Sequence, residues 1–176
     1  MDLEVIRRIV REETRFRTGL GFDVHQFQAG RRMVLGGVEI PSDVGLLGHS
    51  DADVVTHAAM DACLGAAGLP DIGHFFPDTS AEFKDADSIQ LAVAVGQKLA
   101  ERGFVLVNLD LMVMAEKPRL APHREQMSIN LARAFGVQPG QVTVKATTME
   151  KLGFIGRKEG IATMASALLR ATNEVE

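Results

Sequence analysis

The stretch Gly48-His49-Ser50-Asp51-Ala52-Asp53-Val54-Val55-Thr56-His57 marks the start of a helix and holds several titratable side chains. Ser50 and Asp53 have the spacing of a capping box, a motif that satisfies backbone N–H groups at a helix start. Helix-forming residues follow, so the stretch predicts a helix of about four turns that begins near Asp51. Ser50 would then lie at a helix N-terminus, which favours anions. His57 would lie nearly two turns inside the helix.

A further pair of metal-ligand types lies upstream, in Asp23-Val24-His25. A spacing of two residues places both side chains on the same face of a strand. If the helix packs across the end of that strand, His57 joins them. Two imidazoles and one carboxylate suit Zn²⁺ and leave a fourth position for a substrate oxygen. On spacing alone, helix caps and surface histidines are the alternative reading of these residues.

Composition indicates one globular domain that acts on small molecules. The chain has 176 residues and a net charge of −4, which argues against broad nucleic-acid or membrane binding. We find no apolar run long enough to span a bilayer. The single cysteine, Cys63, cannot form an intramolecular disulfide, and its apolar neighbours predict a core residue. This cysteine usage suits a reducing compartment, so we expect a cytoplasmic protein.

The remaining pattern mixes strands and helices, which indicates an α/β or α+β domain. Residues 1–15 are charged and amphipathic and predict a short helical appendage to a domain over residues 16–176. Alternation and turn residues predict the other elements. Strands are expected at 16–24, 104–114 and 142–148, a hairpin at 33–40, a flexible lead at 45–48, loops at 68–79 and 149–160, helices at 89–102 and 123–135, and either type at 161–172.

Two further sets of residues suit phosphate chemistry. Backbone N–H groups, hydroxyls and cations stabilise a transferring phosphoryl group. Such groups occur around His49 and Ser50 and again in the run Lys145 to Lys151. Glu150, next to the threonines of that run, could hold Mg²⁺ between phosphates. The alternative for the charged residues is an ordinary solvated loop.

Six motifs in order extend this pattern over roughly residues 16–172. They are Phe22-Asp23-Val24-His25, Gly36-Gly37-Val38-Glu39-Ile40-Pro41, His49-Ser50-Asp51-Ala52-Asp53 with His57, Asp71-Ile72-Gly73, Phe76-Pro77-Asp78-Thr79, and Lys145-Ala146-Thr147-Thr148-Met149-Glu150-Lys151-Leu152-Gly153-Phe154. Together they resemble the 2-C-methyl-D-erythritol 2,4-cyclodiphosphate synthase family. The resemblance implies conversion of 4-diphosphocytidyl-2-C-methyl-D-erythritol 2-phosphate to the cyclic diphosphate with release of CMP, in the non-mevalonate route to isoprenoid precursors.

The resemblance also implies roles for individual residues. It makes Asp23, His25 and His57 the ligands of one Zn²⁺ per subunit, and Glu150 a holder of a second ion, Mg²⁺ or Mn²⁺. It assigns transition-state stabilisation to His49 and Thr148. The implied substrate contacts are Asp23, His25, His49, Ser50, Asp71, Ile72, Gly73, Phe76, Pro77, Asp78, Thr79, Ser80, Phe154 and Arg157. The implied cytidine contacts are Ala115, Glu116, Lys117, Pro118, Arg119, Leu120, Ala121, Ala146, Thr147 and Thr148.

For the whole molecule, the resemblance implies a mainly four-stranded mixed sheet with helices on one face. It further implies a homotrimer around packed sheets, with each active site between neighbouring subunits and a cytidine diphosphate substrate. Neither nucleic acid nor membrane is an expected partner. Two other functions use the same residues: a zinc-dependent hydrolase of nucleotide diphosphates, and a binder of nucleotides or isoprenoid diphosphates that has lost catalysis.

Overall fold

The structure is a computed structural model that describes residues 2–7 and 15–172. Residues 3–7 are helical, and the rest of the predicted N-terminal helix lies outside the described residues. The elements that follow are β1 (Phe16–Ala29), β2 (Met33–Leu35), β3 (Val38–Ile40), β4 (Val44–Leu46), α1 (Val54–Ala66), α2 (Ile72–Phe75), a 3₁₀ turn (Ala81–Phe83), α3 (Ser88–Glu101), β5 (Phe104–Met114), α4 (Arg124–Ala134), a 3₁₀ turn (Pro139–Gln141), β6 (Val142–Thr147), α5 (Gly153–Gly156) and β7 (Gly160–Ala171).

The domain is built on a five-stranded mixed sheet in the order β4-β1-β7-β5-β6. Four strands are long, as predicted, and β4 adds a three-residue edge. β5 and β6 are parallel, whereas β7 runs antiparallel to both of its neighbours, β1 and β5. β2 and β3 form the predicted hairpin apart from this sheet. The mixed α/β fold class is confirmed.

Helices cover one face of the sheet. α1 packs on β1 and β7, α3 on β5, and α4 on β6. The approach of α1 is very close, because a Cβ atom at Gly19 or Gly21 would lie 2.0 Å from the carbonyl oxygen of Ala62 or Ala58. Only glycine permits this separation, so these two residues set the height of α1 above β1.

The opposite face of the sheet is apolar and uncovered in the single chain. Leu20, Phe22 and Val24 on β1 are 67%, 52% and 42% exposed, and Met164 on β7 is 44% exposed. Phe22 and Met164 are paired across the two strands, so they belong to one continuous surface. Contiguous apolar surface of this kind marks an interaction face.

The start of α1 differs from the prediction. The N-cap is Asp53, whose carboxylate accepts from the N–H groups of Val55 and Thr56, and the helix begins at Val54. Ser50 instead accepts from Ala52 N at 3.2 Å, before the helix, so the capping box and the start near Asp51 are wrong. His57 therefore lies about one turn inside α1 and not nearly two.

Tertiary contacts also decide segments that the local pattern missed or left open. β1 runs on to Ala29, and the segment predicted to be flexible overlaps β4, because Phe27 to Ala29 pair with Val44 to Leu46. The ambiguous run after Gly160 is strand β7, which hydrogen-bonds on both sides. The predicted loops at 68–79 and 149–160 contain the one-turn helices α2 and α5.

Candidate active site and metal centre

Asp23, His25 and His57 form one cluster where α1 crosses β1. Asp23 and His25 alternate on the face of β1 that carries Gly19 and Gly21, so they point toward the helix. The short distance between α1 and β1 brings His57 onto them. Each residue offers one ligand atom, and these atoms all lie within 4.8 Å of one another.

The cluster has the donor chemistry of a zinc site. His57 Nδ1 lies 3.0 Å from Asp23 Oδ2, and His25 Nε2 lies 3.1 Å from the same oxygen. The two ring nitrogens are 3.3 Å apart. His25 Nδ1 lies 2.6 Å from the Leu47 carbonyl oxygen, which can only accept, so Nδ1 carries hydrogen and Nε2 faces the cluster with its lone pair when the ring is neutral. The residues therefore fit a divalent metal with borderline-soft preferences.

The metal-free cluster favours an ionised Asp23 carboxylate beside a protonated His25. Burial alone would raise the pKa of Asp23, but hydrogen bonds and charge from His25 and His57 outweigh burial and hold that pKa well below its usual range. Burial opposes the charged form of His25, yet the Asp23 carboxylate and the Leu47 carbonyl raise its pKa above 6.5 overall. An acid and a base that stabilise each other's charge form a site that a metal ion can occupy by displacing a proton.

A cavity of about 430 Å³ opens above the cluster. Most of its walls were expected from sequence. Beside the three cluster residues, the predicted site residues that line it are His49, Ser50, Ile72, Gly73, Phe76 and Asp78. Gly48, Met60, Phe83 and Leu91 also line it and were not predicted. His49 Nε2 lies 3.1 Å from the Ser80 carbonyl oxygen, which joins the His49 loop to the predicted substrate loop.

Two residues that support the site were not predicted from the sequence. Arg31 donates to the carbonyl oxygens of Gly48 at 3.3 Å and Ser50 at 2.6 Å, so its guanidinium holds the loop that carries His49. Ser88, the first residue of α3, lies 3.0 Å from His57 Nε2. Neither contact has a local sequence signal, because each spans many residues of chain.

Several predicted substrate contacts lie outside this cavity in the single chain. They are Asp71, Pro77, Thr79, Ser80, Phe154 and Arg157. Asp71 caps α2 by accepting from His74 N at 3.1 Å. Arg157 is exposed and forms an ion pair with Glu159 at 2.6 Å.

The predicted cytidine contacts form a second surface at the ends of β5 and β6. Ala115 N donates to the Thr147 carbonyl oxygen at 3.0 Å. The Glu116 carboxylate accepts from the backbone N–H groups of Met149 and Lys151, each at 3.1 Å. These bonds join the segment 115–121 to the segment 146–151. We call this joined surface the nucleotide surface.

Glu150 belongs to the nucleotide surface and not to the metal cluster of its own chain. Thr148 Oγ1 donates to Glu150 Oε1 at 2.6 Å. β6 is three strands away from β1 in the sheet, which corresponds to roughly 14 Å at normal strand spacing. Asp23 pairs with Thr163, Thr163 with Val113 and Val113 with Ala146, so the cluster and the nucleotide surface lie at the same end of the sheet.

Comparison with known proteins agrees over nearly the whole domain. A profile of the YgbB family matches residues 16–170. A Chlorobaculum tepidum protein named 2-C-methyl-D-erythritol 2,4-cyclodiphosphate synthase is 54% identical over 87% of this chain and 98% of its own length.

Solved structures share the fold at clear sequence identity. The bifunctional IspDF of Campylobacter jejuni has a TM-score of 0.86 and 47% identity, covering 89% of this chain and 42% of that longer chain. The CDP complex of IspF from Plasmodium falciparum has a TM-score of 0.79 and 32% identity, covering 90% of this chain and 97% of that one. The chain thus belongs to the YgbB family, together with curated relatives named 2-C-methyl-D-erythritol 2,4-cyclodiphosphate synthase.

Proposed function

We infer that this chain is a 2-C-methyl-D-erythritol 2,4-cyclodiphosphate synthase. It converts 4-diphosphocytidyl-2-C-methyl-D-erythritol 2-phosphate to 2-C-methyl-D-erythritol 2,4-cyclodiphosphate and releases CMP, in the non-mevalonate pathway to isoprenoids. The observation that carries this conclusion is the cluster of Asp23, His25 and His57 under a cavity, in a chain 54% identical to a protein of that name.

We propose that Asp23, His25 and His57 hold one Zn²⁺ per subunit, and that Glu150 helps to hold Mg²⁺ or Mn²⁺ with the substrate. The donor atoms support this, because imidazole and carboxylate suit zinc, and Mg²⁺ favours carboxylate with phosphate oxygens. When bound, such ions offset phosphate charge and make phosphorus more electrophilic.

The reaction needs no side-chain nucleophile. An oxygen of the substrate's own 2-phosphate attacks the β-phosphorus, and the bond from that phosphorus to the bridging oxygen of CMP breaks. The protein has to bring two anions together, which repel by about 4 kcal/mol at 4 Å in an intermediate dielectric. We propose that His49, on the cavity wall, and Thr148, beside Glu150, stabilise the charge that develops in the transition state.

The walls of the cavity suit the methylerythritol part of the substrate. We propose that His49, Ser50, Ile72, Gly73, Phe76 and Asp78 contact it there, together with Asp71, Pro77, Thr79 and Ser80 of the adjoining turn and loop, and Asp23 and His25 below. Phe154 and Arg157, which come just before the start of β7, would add further contacts. Holding the phosphate arm in line with the diphosphate supplies an entropic advantage.

We propose a homotrimer in which the nucleotide surface of one subunit faces the metal cluster of the next. Two observations support this arrangement: these parts lie three strands apart in one chain, and the sheet face without helices is apolar and exposed. The cytidine would then lie on Ala115 to Ala121 and Ala146 to Thr148. The fold relative from Plasmodium falciparum was solved as a CDP complex.

The remaining expectations concern the chain as a whole. Within the described ranges, no helix is long and apolar enough to cross a membrane. We propose a cytoplasmic enzyme whose catalytic domain covers residues 16–176, with residues 1–15 as an appendage. The family match that begins at residue 16 supports that boundary.

The direct test measures CMP release from the authentic substrate with and without each metal. We expect a cyclic diphosphate containing no solvent oxygen, and we expect His57→Ala to lose zinc and turnover together. His123→Ala, at the start of α4, is the matched histidine control. Solvent oxygen in the product would indicate a hydrolase. CMP binding without turnover, with both metal ions present, would indicate a binding protein without catalysis. Wild-type zinc content and activity in His57→Ala would show that His57 takes no part in the reaction.

A further inference from the structure

The ring nitrogen of His57 that faces away from the metal cluster begins a short chain of hydrogen bonds. Nε2 lies 3.0 Å from Ser88 Oγ. Ser88 Oγ donates to Asp51 Oδ1 at 2.5 Å, and Ser88 N donates to Asp51 Oδ2 at 3.0 Å. The Asp51 carboxylate thus accepts hydrogen bonds from both the backbone N–H and the hydroxyl of Ser88. Ser88 is fully buried, so its hydroxyl is held in this arrangement without competition from bulk water.

This series of hydrogen bonds determines which ring nitrogen of His57 carries hydrogen. A serine hydroxyl has one hydrogen, and Ser88 gives it to the carboxylate, so its oxygen can only accept from His57. Nε2 must therefore carry hydrogen. In a neutral ring Nδ1 then bears the lone pair that a metal would share, whereas without metal the Asp23 carboxylate, 3.0 Å away, competes for hydrogen at Nδ1. Ser50 Oγ lies farther from Nε2, at 3.3 Å; it accepts from Ala52 N and has a second lone pair that can accept from the same Nε2–H.

We propose that Ser88 and Asp51 are positioning residues that hold His57 in its Nε2–H form and direct Nδ1 at the metal. This inference rests on the proposed metal site, and both residues act through His57 and not as ligands. Hydrogen-bond partners of metal-bound histidines fix ring orientation and raise ligand basicity, and their loss costs about 10- to 100-fold in metal affinity.

The first test measures zinc affinity of the metal-depleted protein by competition with a chromophoric chelator. We expect Ser88→Ala to weaken zinc binding by about 10- to 100-fold and Asp51→Asn by about 10-fold. Asp87→Asn is the control, because Asp87 caps the same helix by accepting from Ile89 N at 2.9 Å but lies outside the chain of bonds. It should stay within about twofold of wild type.

The second test reads the proton directly, by ¹⁵N NMR of the metal-free imidazoles at a pH where histidine is neutral. Asp51→Asn should hold less hydrogen at His57 Nε2 and more at Nδ1 than wild type, because the freed Ser88 hydroxyl can then donate to Nε2. This readout needs no activity and does not depend on Ser88→Ala folding well. If Ser88 and Asp51 had only a structural role, replacing them would lower the melting temperature. The zinc affinity and the position of the His57 hydrogen would then stay unchanged.

The outcomes separate this inference from the proposed function. Wild-type zinc affinity in both variants, or an unchanged position of the His57 hydrogen in Asp51→Asn, would overturn the positioning role alone. If the wild-type chain itself binds no zinc, the metal site beneath both proposals is wrong. Failure of CMP release with normal zinc binding would overturn the activity and leave the positioning role standing.

Discussion

At the residue scale, Asp23 and His25 make the metal cluster a site where a proton and a metal compete. Zinc needs the neutral form of His25, whose pKa in the metal-free protein is raised above 6.5. Zinc affinity should therefore fall as the pH drops through that raised pKa, by about tenfold per pH unit for one displaced proton. A chelator competition series between pH 5.5 and 8.5 measures this slope. A flat profile would contradict it.

The same pKa shift has the opposite consequence for the metal-free protein. A raised pKa of His25 means that its pairing with Asp23 stabilises the fold fully below the ordinary histidine pKa of 6.5. That contribution is lost as the pH rises through the folded-state pKa. Metal-free protein should lose stability toward alkaline pH from this pair, whereas zinc-loaded protein should not. Thermal melts with and without chelator across the same pH series test the contrast.

Asp53 is a structural carboxylate inside a motif that otherwise points to catalysis. It is fully buried and accepts from Gly36 N at 2.8 Å, Gly37 N at 2.7 Å and Thr56 Oγ1 at 2.7 Å, besides capping α1. Asp53→Ala would leave several buried donors without an acceptor, and each such donor costs about 1–3 kcal/mol. We therefore expect the free energy of unfolding to fall by at least about 3 kcal/mol.

Urea unfolding measures that loss, with Asp43→Ala as the control. Asp43 is an exposed carboxylate in the loop before β4, and its removal should change stability by less than about 0.5 kcal/mol. Equal stability of the two variants would show that the bonds of Asp53 are replaced by water or by other groups.

At the element scale, the packing of α1 on β1 determines whether His57 reaches its partners. Gly21→Ala would place a Cβ atom 2.0 Å from the Ala58 carbonyl oxygen, which belongs to a helix backbone that cannot move alone. We expect about 3 kcal/mol of destabilisation and weaker zinc binding, because α1 must move away from β1. Gly65→Ala is the matched control: it lies within α1, its added Cβ would meet open space, and it should stabilise by about 0.5–1 kcal/mol.

Elements with a strong local pattern were predictable from sequence, and those set by distant contacts were not. The alternation in Phe104–Met114 gave β5 its observed bounds. The predicted start of α1 is wrong because Ser50, Asp51 and Asp53 are all suitable N-cap residues. Asp53 is the N-cap because its carboxylate is also fixed by hydrogen bonds from the β2–β3 turn. β4 carries no strand signal of its own and forms because β1 extends alongside it.

The site divides in the same way. Ligand types and spacing suggested Asp23, His25 and His57 as one cluster, and the resemblance named most of the residues that line the cavity. Ser88 and Arg31 were missed because each meets the site through the fold, 31 residues from His57 and 17 residues from Gly48 along the chain. A hydroxyl or guanidinium at such separation has no pattern that a sequence can display.

At the scale of the whole molecule, the cluster and the nucleotide surface should work only across subunits. We expect His57→Ala and Glu150→Ala to be inactive separately, since each damages every site of its own trimer. Unfolded together and refolded at equal amounts, random trimers would combine an intact cluster with an intact Glu150 at about one quarter of sites. CMP release near a quarter of wild type is the expected measurement. Recovery of no activity would place both groups in one subunit.

In the proposed trimer, the uncovered sheet face links the folding of a chain to the presence of its copies. Leu20, Phe22 and Met164 would remain in water in a lone chain and would leave it only on association. The melting temperature should then rise with total protein concentration, as it does when assembly is coupled to folding. In a cell, newly synthesised chains at low abundance would expose this apolar face for longest and would depend on chaperones until they meet copies of themselves.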